Sequence, residues 1–172
     1  MMNHKAAEAH GAHHARRSAA PKRQFIAAQE VWAHNLEEEM INLRDIAEVY
    51  QHITIEVLLP KVVASPTGPF GDYVEYNYSM LRCNVDLTKA LQIILTLSDS
   101  KGNRPKAVSS WRFNFNFNPE KDFFLQETLD QLCDLPKHHS QGIGEQDFGE
   151  LMMSSGLVLN EEMRWIAFCG CA

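Results

Sequence analysis

The spacing of apolar residues along the chain changes period several times, and each change marks a new element. Trp32, Leu36, Met40, Leu43 and Ala47 recur at i, i+4, i+8, i+11 and i+15, which is one face of a long amphipathic helix. Glu37, Glu38 and Glu39 fall largely on its wet side. The run Ile53-Thr54-Ile55-Glu56-Val57-Leu58-Leu59 is β-rich and nearly all apolar, which predicts a central strand ended by Pro60. Two prolines and two glycines between Ser65 and Asp72 predict a loop. A helix is expected over Tyr73 to Asp86, then a strand over Leu91 to Leu97 and a turn at Asp99 to Asn103. Trp111 to Phe117 alternates strictly and is the clearest strand. Its aromatic stripe fits the buried face of an antiparallel strand better than a base-stacking platform. Asn118-Pro119-Glu120 supplies a cap, a first-turn proline and an acid, so a helix is expected onward through Leu132. A polar loop with His138, His139 and Gly142 comes next. A helix from about Glu145 to Ser155, stopped by Gly156, and a strand from Arg164 to Phe168 complete the series.

Composition changes this picture mainly at the front. Residues 1–24 are rich in Ala and His and lack an apolar period, so they read as a flexible tail ahead of a domain over 25–172. His4, His10, His13 and His14 lie there without a scaffold to fix them as metal ligands. Lys5, Arg16, Arg17, Lys22 and Arg23 against Glu8 give the tail +4, so the overall −6 leaves −10 on the rest. A basic tail poor in acids is also the pattern of a transit peptide or nuclear signal. The acidic body shows no uniform basic face for nucleic acid. No apolar run approaches a membrane span. Cys83, Cys133, Cys169 and Cys171 form no Cys-x-x-Cys pair, which argues against a zinc ribbon or disulfide framework and for a reducing compartment. His138-His139 reads as a solvated loop pair.

Glu56 breaks the pattern of its strand. Alternation places it on one face with Thr54 and Leu58. A carboxylate inside a buried strand is costly unless it is paired or bound to metal, whereas on an edge strand it simply faces water.

Five stretches carry a family resemblance: Glu30 to Met40, Pro60 to Pro66, Leu81 to Leu87, Trp111 to Asn118, and Glu150 to Leu159. Their order and motifs resemble the Caf/Pop-type catalytic subunit of the Ccr–Not mRNA deadenylase complex, over Glu30 to Phe168. The resemblance implies an α/β, ribonuclease-H-like mixed sheet with flanking helices. It implies 3′-to-5′ removal of poly(A) by two divalent metals, Mg or Mn, held by four acids. It implies as partners the mRNA poly(A) tail, the Not scaffold subunit and the partner deadenylase, in cytoplasm and nucleus.

The family's first two acids form an Asp-x-Glu pair before Phe-Pro-Gly. Counting back from Pro60, Glu56 and Leu58 stand at those positions, with Leu59 and Lys61 in place of Phe and Gly. The resemblance thus leaves Glu56 as the remnant first acid and metal ligand, and Leu58 as the position of the lost second acid. Ile94 replaces a glycine expected in the second strand. The third acid follows a Trp-x-x-Phe-His-Ser-Gly-Tyr-Asp run, whereas this chain reads Trp165 to Ala172 and stops before it. On this reading the C-terminal half of the domain is missing and the metal is not held properly. The expected function is a deadenylase-family member impaired in catalysis. The alternatives are a non-catalytic module binding the Not scaffold, or an unstable incomplete product.

Overall fold

The structure is a computed structural model that describes residues 28–60, 62–126 and 134–167. The proposed tail at 1–24, Cys133, and the terminal stretch with Cys169 and Cys171 lie outside the described residues.

Ten elements follow one another in the described chain. They are β1 (Gln29–Val31), a 3-10 turn (Ala33–Asn35), α1 (Leu36–Ala47), β2 (His52–Leu58), α2 (Tyr73–Leu87), β3 (Gln92–Ser98), β4 (Ser110–Asn114), α3 (Leu135–Gln141), α4 (Glu145–Ser154) and β5 (Arg164–Ala167). The strands form one mixed sheet in the order β1-β4-β3-β2-β5. The central pairs β2–β3 and β3–β4 are antiparallel, while β1 joins β4 and β5 joins β2 in parallel. The mixed sheet with flanking helices expected from the sequence is therefore the architecture found.

The main core lies on one face of the sheet. The α1 stripe turns inward as its spacing predicts: Leu36, Met40, Leu43 and Ala47 are all buried. They meet Ile53, Leu95, Leu97, Trp111, Phe113 and Phe115, with Met152 from α4. The aromatic stripe is core, with Trp111, Phe113, Phe115 and Phe117 at most 2% exposed, although β4 itself ends at Asn114 and Phe115 continues it only as a bridge to Ile143. Phe148 of α4 seals it with edge-to-face contacts to Phe113 and Phe115, at 5.0 and 5.2 Å. At roughly 25 cal/mol per Å2 of apolar surface removed from water, these large rings dominate the burial.

Several local expectations change in the structure. β1 was not expected: its three residues carry no alternation, and Glu30 anchors it by pairing with Arg112 and accepting from Asn114 Nδ2 at 2.9 Å. Glu39 is half-buried rather than wet, and its carboxylate accepts from the Trp111 indole at 3.0 Å and from Gln29 at 2.8 Å. The helix start at Asn118 folds only a turn. Asp122 accepts from Asn118 N at 2.8 Å and pairs with Lys89 at 3.1 Å, and helical geometry begins only at Gln126. The remainder of that expected helix, 127–133, lies outside the described residues.

The polar loop at 138–142 is instead α3 and its cap. His138 is 2% exposed, its Nδ1 lies 2.9 Å from Phe115 O, and its ring meets Trp32 edge-on at 5.1 Å. It is a satisfied core histidine, while His139 is exposed. The helix at 145 to 154 does end as expected, with Gly156 at φ 75°, a left-handed position where glycine avoids Cβ strain.

Candidate metal centre

β2 is the strand on which the candidate ligands sit, and its surroundings change along its length. From His52 to Ile55 it is sandwiched between β3 and β5. From Glu56 to Leu58 the described residues pair it with β3 alone. The central-strand reading therefore holds for the first half, and the residues that would continue β5 beside Glu56 to Leu58 lie outside the described residues. Glu56 lies in the second half and is exposed, so the strand imposes no burial cost on its charge.

The sheet register shows what stands around Glu56. One row of paired residues crosses four strands: Glu56 opposite Ile94, Ile94 opposite Arg112, and Arg112 opposite Glu30. Glu30 is the other carboxylate of that row, and it is already engaged by Arg112 and Asn114. Three inter-strand spacings of about 4.8 Å put it roughly 14 Å from Glu56. At that spacing, and with its carboxylate already held by Arg112 and Asn114, Glu30 shares no contact with Glu56. Arg112 is two strands away from Glu56, so it does not neutralise that carboxylate at contact distance.

The next row is no richer in donors. Leu58 pairs with Gln92, whose side-chain amide donates to Asn114 Oδ1 at 2.7 Å. Leu58 is half-buried and packs on a second, smaller apolar cluster built on Leu91 and Phe117, with Phe124 and Leu135. Thr54, on the other side of Glu56, pairs with Thr96 and with Ile166. Among the described residues no group of three or more His, Cys, Asp or Glu side chains could hold a metal ion. The residues present do not fit a two-metal centre.

A cleft of about 590 Å3 does open elsewhere, between the 3-10 turn, the start of α1 and α4. Glu37, Asp147 and Glu150 give it an acidic lining, with His34 beside them. No residue of β2 lines it, so it is separate from Glu56.

The class of protein follows from the sheet and its neighbours. Over 84% of this chain and 59% of its own, the Mg2+- and Mn2+-bound structure of Pop2p from Schizosaccharomyces pombe superposes with a TM-score of 0.80 at 40% identity. The fold is thus that of the Pop2 ribonucleases. A chain in the structure of the yeast NOT1 MIF4G domain co-crystallized with CAF1 matches at TM-score 0.68 and 31% identity, over 88% of this chain and 57% of that one. Among curated proteins, the poly(A) ribonuclease pop2 of Schizosaccharomyces pombe is 41% identical across 149 residues, 84% of this chain and 44% of that protein. The chain is a homologue of the Pop2/CAF1 poly(A) ribonucleases over more than four-fifths of its length. It spans about half the length of the relatives it matches. No family profile matches it.

Proposed function

We propose that this chain acts in mRNA turnover as a Pop2/CAF1-type subunit associated with the Ccr–Not complex, and that it contributes contacts rather than catalysis. The observation that carries the reading is the 40% identity to Pop2p over 84% of the chain, together with the absence of a metal-holding group among the described residues. In Pop2-type chemistry a metal pair would activate water and stabilise the leaving oxygen of the RNA chain. In this chain Glu56 is the remnant of the first acidic position and Leu58 occupies the position of the second. One exposed carboxylate is not a site for two cations, so no step is assigned to it. The partners are the Not scaffold, the partner deadenylase and, through the complex, the poly(A) tail of mRNA, in cytoplasm and nucleus. No helix among the described residues is long and apolar enough to cross a membrane.

Two experiments test the reading. Tagged chain expressed with a NOT1 MIF4G domain is expected to retain it through purification, and retention no greater than a tag control overturns the proposal. Purified chain with Mg2+ or Mn2+ is expected to leave an oligoadenylate-tailed RNA at full length. Progressive shortening of the tail would show instead that the chain is an active exonuclease.

A further inference from the structure

Leu58 is more than a missing ligand. Its half-buried side chain packs on the fully buried Leu91 and Phe117. Phe124 packs edge-to-face on Phe117 at 5.8 Å and closes the cluster with Leu135. The backbone holds Leu58 there from the β3 side. Its Cα is in register with Gln92, and its carbonyl accepts from Leu91 N at 2.9 Å. In the pairing register Ile94, a branched apolar residue, stands directly opposite Glu56 and diagonal to Leu58.

We propose that the end of β2 has been converted from ligand to core: Leu58 is a packing residue of the second apolar cluster, and a carboxylate there unseats the cluster without creating a cation site. This deepens, and rests on, the reading of the chain as a Pop2/CAF1-type subunit without a metal centre. A carboxylate introduced at residue 58 trades the apolar contact with Leu91 and Phe117 for a charge that the half-buried position hydrates only in part. Its only same-strand acidic neighbour is the exposed Glu56, and the residue opposite Glu56 is Ile94, which offers no donor atom to a cation.

The experiment is a thermal melt of the 172-residue chain with and without 1 mM MnCl2, on the parent and four variants. Leu58→Glu is expected to melt about 5 °C or more below the parent. Leu58→Met, which keeps the volume and the apolar contact, is expected within about 2 °C of it. Neither variant, nor Leu58→Glu combined with Ile94→Gly, is expected to gain stability from Mn2+. Two results would overturn the proposal. One is a Leu58→Glu chain that melts with the parent. The other is a Mn2+-dependent rise in Leu58→Glu that disappears when Glu56→Gln is added. Binding to the NOT1 domain plays no part in these readouts, so failure here and failure of the proposed partnership are distinguishable.

Discussion

Gly142→Ala is expected to be among the most damaging single-methyl additions this chain can receive. Gly142 closes α3, where its amide donates to His138 O at 3.1 Å. A Cβ built on it would lie 2.5 Å from Asn116 N and would overlap His138 O and Asn116 Cα. All three are backbone atoms, so no side chain can swing aside. Relief requires the 142–143 segment to move off the strand by about an ångström. That movement breaks Asn116 N to Ile143 O, 2.9 Å, and Ile143 N to Asn114 O, 2.8 Å, and loosens the cap bond. Two to three hydrogen bonds at about 1 kcal/mol each, plus about 1–3 kcal/mol for displacing packed Ile143 and His138, give about 3–6 kcal/mol. At about 2–4 °C per kcal/mol for a chain of this size, the melting temperature should fall by roughly 6–24 °C. Calorimetry on parent and variant measures it directly. A Gly142→Ala chain melting within about 2 °C of the parent refutes the close-approach reasoning.

Two further outcomes follow from polar groups. Asn84 accepts from Val63 N and Ala64 N at 2.7 and 3.1 Å and donates to Ala64 O and Met80 O at 2.8 Å each. Asn84→Ala should therefore cost about 1–3 kcal/mol and speed hydrogen exchange at Val63 and Ala64, and unchanged exchange there would count against the latch. Asp99 has its carboxyl held below the usual 3.8, chiefly by the Asn103 side-chain amide and then by the Asn103 and Lys101 backbone amides. A folded value below the unfolded one means the contribution is fully present above pH 3.8 and is lost as pH falls through the lower folded value. An NMR titration of Asp99 should show a midpoint below 3.8, and a midpoint at or above it contradicts the hairpin-turn geometry.

What was legible in the sequence was whatever a single element decides for itself. The Trp32 to Ala47 stripe and the alternation from Trp111 to Phe117 each carry their own period, and both bury the faces that the period names. What was not legible depends on a distant partner. β1 is too short to show alternation, and Arg112 and Asn114 of β4 make it a strand. His138 sits in a polar stretch, and Trp32 together with the Phe115 carbonyl turns it into core. The Asn118 cap had every local mark of a long helix, yet Asp122 closed the turn on itself. The candidate site divides in the same way. That Leu58 cannot ligate a metal is visible from its chemistry alone. That it belongs to the Leu91–Phe117 cluster depends on residues from β3 onward, which no reading of the β2 segment contains.

The attachment of α2 has a consequence for mutational work. Its one buried residue is Asn84, an amide held by hydrogen bonds, while Val74, Tyr78, Leu81 and Val85 form an outward row at helical spacing. Buried apolar contacts confound folding with recognition, because one substitution disturbs both. Along this row the two separate. Changing Tyr78 or Val85 removes surface that the fold already leaves in water, so the melt should stay in place while any intermolecular contact is altered. A scan of those four positions, read against an unchanged melting temperature, reports on association alone.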